Sequence, residues 1–343
     1  MRINLKYLQT LVPFTGDIRA LAELLESVGI EIDRIEPTPA GDTLEFDITP
    51  NRPDWLSHLG IAREVVAKHA ELALRPLPGG ELPSVSSAPA LPVRVEDGAA
   101  CPRYCGALLG DVRVEPSPPE VAALLESLGL RPINNLVDIS NLVMMTLGQP
   151  LHFFDAGCLT GSQVIVRRAR AGEKLVLLDQ RELVLSEEAL VIADCERPVA
   201  LAGIMGGLDS GITGTTRSLF IESALFAPRV IRRTARRYGL RSDASFRYER
   251  GTDPALPPLS MALALHWLEK LTGAKPTVTS YVDVVAATRR MPASIEMDKG
   301  FPGRFSGMPL DPQTCATTLK RLCFAVEDLG TAWRVTAPSF RVD

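Results

Sequence analysis

Nowhere does the sequence hold an uninterrupted apolar run of about 18 residues, the length a membrane-spanning helix needs, and no membrane partner is expected. The N-terminus lacks the shape of a signal peptide, because Arg2, Asn4, Lys6 and Gln9 interrupt its apolar residues. Cysteine is sparse and scattered, at 101, 105, 158, 195, 315 and 323. Cys101 and Cys105 lie close together, but no second pair completes a zinc site. All of them read as reduced thiols of a cytoplasmic protein, used mostly for packing. An excess of positive charge is also missing. A net charge of −4 argues against a general polyanion binder, so any nucleic-acid contact must come from a local basic patch. Nucleotide-binding loops are absent too: the glycine cluster at 203–214 is followed by no Gly-Lys-Ser/Thr and does not fit G-x-G-x-x-G.

What remains is an ordinary globular composition, 46% hydrophobic and 23% charged, over 343 residues. That length suits about two or three domains. Asp17 is a plausible N-cap; Leu21, Leu24, Leu25 and Val28 follow at helical spacing, and Gly29 stops the helix. Strands are predicted at 30–35 and 44–50, then a turn at Asn51–Asp54 and a helix from Leu56 to about Ala70. Residues 76–92 are rich in Pro, Gly and Ser and read as a linker. Beyond it, Ser117, Pro118 and Glu120 suggest a capping-box helix ending near Gly129. Strands are predicted at 164–169, 174–178, 189–193 and 199–203, and a helix at about 255–272. A third region opens near 294, where a helix carrying Leu319, Leu322 and Cys323 precedes a β-like FAVEDL.

The most informative stretch is RPINNLVDISNLVMMTLGQPLHFFDA, residues 131–156. Arg131, Asn134, Asn135, Asn141, Gln149, His152 and Asp155 are set in an otherwise core-like segment. Buried side-chain amides need partners. The array is therefore either a self-satisfied structural network or a site that reads a polar ligand. Residues 189–222 form the second such stretch. Two β-like runs lead to Gly203, Gly206 and Gly207, and a third, Leu219–Ile221, ends on Glu222. Glycine there permits close backbone approach to a ligand, or simply a tight inter-strand loop.

Taken together, R-P-I-N-N, V-D-I-S-N, Q-P-L-H-x-F-D, L-A-G-I-M-G-G, F-I-E-S-A and I-R-R-T-A-R-R-Y-G-L-R-S-D-A-S-F-R-Y-E-R-G-T-D-P resemble the β subunit of bacterial phenylalanine–tRNA ligase. The resemblance runs from Met1 to Asp343. It implies a multidomain α/β and α+β architecture: a small α+β module over 1–75, the linker, a large α/β sandwich-like editing domain over 93–283, and a truncated second α+β module over 294–343. Two departures are expected. Pro37–Thr43 stands where most bacterial members insert an oligonucleotide-binding-fold domain, and the family's later modules would follow residue 343. The second departure suggests a fragment rather than a shortened relative.

The resemblance implies hydrolytic editing of tyrosine mischarged onto tRNA(Phe). An apolar synthetic pocket rejects an added hydroxyl by only about 10²-fold, so a second site that demands the hydroxyl is useful. Glu222 matches the family's selecting position, and a semi-buried carboxylate suits that task. His152, Asn141, Ser140, Gly203 and Gly206 are the candidate catalytic residues. Arg131, Asn134, Pro150, Ala202 and Gly207 are expected to bind substrate with Glu222. Ser140 stands where many relatives have Thr, and Leu142 where many have Tyr. A positioned water is expected rather than a covalent nucleophile. A Ser140–His152–Asp155 triad is conceivable, but no G-x-S-x-G elbow surrounds Ser140.

The implied assembly is an α₂β₂ heterotetramer with an α subunit that carries aminoacylation. It acts on tRNA(Phe) and not DNA, using ATP and Mg²⁺; the editing domain itself needs no cofactor. Asp343 matches the start of the family's magnesium site. Arg229, Arg232, Arg233, Arg236 and Arg237 fall on one helix face. That face suits phosphates, a subunit or interdomain contact involving acids such as Glu249 and Asp253, or solvent. The rival readings are a stand-alone trans-editing deacylase and a non-catalytic RNA-binding scaffold.

Overall fold

The computed structural model describes residues 1–79, 81–273, 275–286 and 293–342. At the N-terminus, a three-stranded antiparallel sheet in the order Arg2–Asn4, Thr43–Phe46, Ile32–Glu36 packs against the helices Leu5–Leu11, Ile18–Glu26 and His58–Lys68. The Asp17 carboxylate caps its helix by accepting the Ala20 N–H at 2.9 Å, and Leu21, Leu24 and Leu25 are buried on one face. Both strands are shorter than their hydrophobic patterns suggest. The helix expected from Leu56 starts at His58 instead, capped by Ser57, because Pro53–Trp55 first makes a 3₁₀ turn.

His58 ties this module to the next. Its Nε2 accepts the Asn4 N–H at 3.1 Å and its Nδ1 donates to the Met145 carbonyl at 2.8 Å. Burial lowers its pKa to about 4, so it stays neutral and can both accept and donate. The described residues of 76–92 form no helix or strand, yet the segment is laid down on its neighbours. The Ser86 N–H donates to the Tyr281 carbonyl at 2.8 Å, and Leu77 and Leu82 pack on a core.

The middle of the chain is three layers deep. Its central sheet has four antiparallel strands, ordered Thr277–Val285, Arg103–Gly110, Leu219–Leu225 and His152–Asp155. Helices Asn135–Leu147 and Leu256–Thr272 cover one face. A second sheet covers the other, ordered Met205–Gly206, Pro198–Leu201, Leu190–Ala193, Val164–Arg168 and Val93–Val95. Among the described strand pairs, the Val93–Val95 pairing alone is parallel. Successive side chains of the central strands alternate between the two cores. Tyr104, Phe154, Phe220 and Ala224 enter the inter-sheet core; Cys105, Phe153, Leu219 and Ile221 enter the helical one. Burial on both faces explains the near-continuous apolar run at Leu219–Leu225, where each large side chain contributes about 1.5–3 kcal/mol.

Two local expectations change. Ser117 forms no capping box: its Oγ donates to Asp138 Oδ2 at 2.6 Å, and Pro118 occupies the cap without a side-chain bond. Lys174–Val176 does not join the large sheet; it pairs with Glu182–Val184 as a separate hairpin. Near the C-terminus, Ser294–Asp298, Ala332–Thr336 and Ala325–Asp328 form a three-stranded antiparallel sheet, with helix Pro312–Arg321 against it. Its core is small, centred on Ala316, Trp333 and Val335.

Candidate functional site

A cleft of about 60 Å³ opens where the edge of the central sheet meets the turn after Pro198–Leu201. Pro150, His152, Ala202, Gly203, Gly206 and Glu222 line it, so the structure brings these sequence-expected residues together. Ala244 and Tyr248 also line it, and no sequence pattern marked them. Both belong to the Asp243–Tyr248 helix, anchored by its cap: Ser242 Oγ donates to the Ile204 carbonyl at 2.7 Å.

Glu222 does not end its strand. It sits at the centre of Leu219–Leu225, opposite His152 on one side and Gly106 on the other. Directly opposed residues share a face with Cβ atoms about 4.5–5.5 Å apart. Glu222 is only 5% exposed, and burial raises its carboxyl to about 7, although the Tyr104 hydroxyl opposes that rise by donating to Oε2 at 2.8 Å. Among the described residues no group donates to Oε1.

His152 is also desolvated, and burial drops its pKa to about 4, leaving a neutral imidazole. The ring stands edge-on to Phe154 at 4.3 Å, and Nε2 is buried without a partner among the described residues. Gly206 makes the room for it: a Cβ there would lie 2.3 Å from Cε1 and 2.6 Å from Nε2. Gly203 serves differently. Its φ of +66° is left-handed, and a Cβ would meet Phe226, Ile231 and Tyr248 at 2.9–3.1 Å, on the core side of the turn. Its N–H has no acceptor among the described residues, whereas Ile204 N–H is used by Leu201 and Gly207 N–H by Val199.

The other expected residues lie elsewhere. Ser140 is on the Asn135–Leu147 helix and donates to its own Val137 carbonyl at 2.7 Å. Asp155 accepts from Gly157 N–H and from Thr216 Oγ1 at 2.6 Å. The conceivable triad is therefore not assembled. Asn141 lies on the same helix as Ser140 and does not line the cleft. Asn134 is a helix cap that accepts the Leu136 and Val137 N–H groups, and Arg131 is exposed. Gly207 lines a different cleft, beside Leu175 and Val199. For Asn134 and Asn135 the self-satisfied network prevails, whereas Gln149 uses only its Nε2 and leaves Oε1 buried without a partner among the described residues. Asn135 bonds to the Arg113 carbonyl and the Glu115 N–H, and Gln149 donates to the Ala224 carbonyl at 2.8 Å and the Tyr248 hydroxyl at 3.0 Å.

Asp343 lies outside the described residues. Among the described residues, no group of three or more His, Cys, Asp or Glu converges on a metal position. No described helix is long and apolar enough to cross a membrane. The arginine face is real: Arg229, Arg232, Arg233, Arg236 and Arg237 are all exposed on helix Pro228–Tyr238. Its partners are not the acids expected. Arg232 donates to the Glu249 main-chain carbonyl at 2.6 Å, while the Glu249 carboxylate bonds Arg250. Asp253 accepts the Ala255 N–H. Arg233 and Arg237 pair with Glu188, at 3.0 and 3.7 Å.

Residues 100–273 match the B3/4 domain family. The chain is 41% identical over 318 residues to the phenylalanine–tRNA ligase β subunit of Anaeromyxobacter dehalogenans, covering 89% of this chain and 39% of that protein. It is 42% identical over 302 residues to the β subunit of Moorella thermoacetica, covering 88% and 37%. The chain thus spans about two fifths of the length of the curated relatives it matches. An N-terminal fragment of the phenylalanyl-tRNA synthetase β subunit from Pyrococcus horikoshii shares the fold, with a TM-score of 0.52 at 16% identity, covering 100% of this chain and 94% of that one.

Proposed function

The chain belongs to the B3/4 domain family, and from that premise we propose that its cleft hydrolyses the ester joining tyrosine to tRNA(Phe). The observation that carries this reading is Glu222, a buried carboxylate with one oxygen undonated among the described residues, facing His152 across a strand pair. A phenol donates to that oxygen. Phenylalanine would leave it desolvated and unpaired, a cost of about 1–3 kcal/mol or more for a charged group. Water adds to the ester carbonyl carbon, the bond to the ribose oxygen breaks, and the proton lost by the water ends on that oxygen. His152, held neutral by burial and with an unpartnered Nε2, is the group suited to orient that water by a hydrogen bond. The Gly203 N–H is the amide of the turn suited to polarise the carbonyl.

This portion is proposed to serve as part of a cytoplasmic phenylalanine–tRNA ligase β subunit in protein biosynthesis, paired with an α subunit in an α₂β₂ assembly. ATP and Mg²⁺ would serve aminoacylation on that α subunit. We also propose domain limits at 1–75, 93–283 and 294–343, joined by 76–92. A second reading, a non-catalytic RNA-binding scaffold, is favoured by the size of the cleft. At about 60 Å³ it is smaller than the roughly 150 Å³ cavity that accepts benzene, so catalysis requires it to widen. Deacylation of tyrosyl-tRNA(Phe) and phenylalanyl-tRNA(Phe) separates the two: a hydrolase prefers the tyrosyl ester, and a scaffold cleaves neither.

A further inference from the structure

Few polar groups face Glu222, and most are already engaged. Cys101 turns its thiol to the Arg103 carbonyl at 3.5 Å. The Tyr248 hydroxyl lies 3.1 Å from the Pro150 carbonyl and 3.0 Å from the Ala224 carbonyl, and Gln149 donates to it. His152 is pressed against Gly206. Among the described residues, Tyr104 alone gives its hydroxyl to the carboxylate.

The strand register explains why Tyr104 can reach. The residue directly opposite Glu222 on the Arg103–Gly110 strand is Gly106, which has no side chain to occupy the gap. A Cβ at Gly106 would strike the Phe220 ring at 2.5 Å, so the gap is already sealed by packing. Tyr104 is the diagonal neighbour on the same face. Diagonal positions lie about 7–8 Å apart, within reach of an aromatic side chain. Tyr104 is itself fully buried, so its ring is held by the inter-sheet core and its hydroxyl has a fixed position.

We propose that Tyr104 is the positioning residue for hydroxyl selection in this cleft, engaging Glu222 Oε2 so that Oε1 alone is offered to the phenol. This rests on the editing reading above. The bond acts in two ways. It fixes the carboxylate plane before substrate arrives, so little orientational freedom remains to be lost on binding. It also favours the ionised form, which only accepts hydrogen bonds, over the acid, which tolerates an empty pocket better. Burial drives Glu222 up to about 7, and the Tyr104 hydroxyl is the side chain that holds it down.

The test is kcat/KM for both esters with wild type and Tyr104→Phe, from about pH 5.5 to about pH 8.5. Loss of one hydrogen bond to a charged group predicts a fall of about tenfold or more in tyrosyl-over-phenylalanyl preference. It also predicts a shift of the preference-versus-pH midpoint to higher pH, which a merely structural role would not produce. In a Glu222→Gln background, Tyr104→Phe is expected to have little further effect on preference. A folded Tyr104→Phe protein with unchanged preference and midpoint overturns the inference alone. Wild type that cleaves neither ester overturns the editing reading and this inference with it. Should Tyr104→Phe not fold, infrared difference spectra of wild type against Glu222→Gln decide. A strongly hydrogen-bonded carboxylate near neutral pH supports the assignment, and an acid persisting above about pH 8 overturns it.

Discussion

Glu222→Gln isolates the cost of holding a carboxylate inside this fold. Glutamine keeps the volume and can still accept the Tyr104 hydroxyl, but it does not titrate. Burial moves the carboxyl from its ordinary 4.5 to about 7. The folded pKa therefore lies above the unfolded one. Stability from this group is fully present below about 4.5 and is lost as pH rises through about 7. At about 1.4 kcal/mol per pH unit, the gap amounts to roughly 3 kcal/mol. The variant should match wild type near pH 4 and exceed it by about 3 kcal/mol near pH 8.5. Paired denaturant melts at the two pH values measure the difference directly, since every other titrating group is common to both proteins. Parallel stability curves across that range would refute the reasoning and show Glu222 to be solvated or otherwise paired. Tyrosyl preference should be lost in the same variant, a stability gain bought with function.

Three further outcomes follow from the site. Gly206→Ala should displace the His152 ring, since its Cβ would lie 2.3 Å from Cε1; deacylation is expected to fall about tenfold or more, with the melting temperature checked alongside. Gly203→Val should instead destabilise the fold by about 3 kcal/mol or more, because a β-branched residue at positive φ meets the Phe226, Ile231 and Tyr248 side chains; thermal melts check this. Arg232→Ala with Arg236→Ala is expected to weaken association with an α subunit more than tRNA binding, because the neighbouring Arg233 and Arg237 already show this face pairing with carboxylate. Co-purification and tRNA affinity at several salt concentrations check it; a shallower salt slope with normal assembly is the contrary result.

Polar residues in apolar surroundings made much of the site legible. His152 and Glu222 stand out in runs that otherwise read as strand, and the structure sets them opposite each other. Pro150, Ala202, Gly203 and Gly206 join them, as the resemblance implied. Nearness in sequence misled elsewhere. Ser140 and Asn141 lie close to His152 along the chain but on a helix that covers the far face of the sheet. Gly206 and Gly207 are adjacent, yet a Cβ at Gly206 would meet His152 and one at Gly207 would meet Val199 and Leu175, and only Gly206 lines the cleft. Tyr104 was hidden because its bond spans 118 residues and depends on strand register, which no local pattern encodes. The hairpin partner Glu182–Val184 escaped because it is short and largely exposed, with little hydrophobic alternation.

The most direct measurement is single-turnover deacylation of tyrosyl-tRNA(Phe) and phenylalanyl-tRNA(Phe) by wild type and Glu222→Ala. Wild type should release tyrosine in clear preference to phenylalanine, and Glu222→Ala should erase that preference while remaining folded. Equal cleavage of the two esters by wild type, or an undiminished tyrosyl preference without Glu222, would contradict the account.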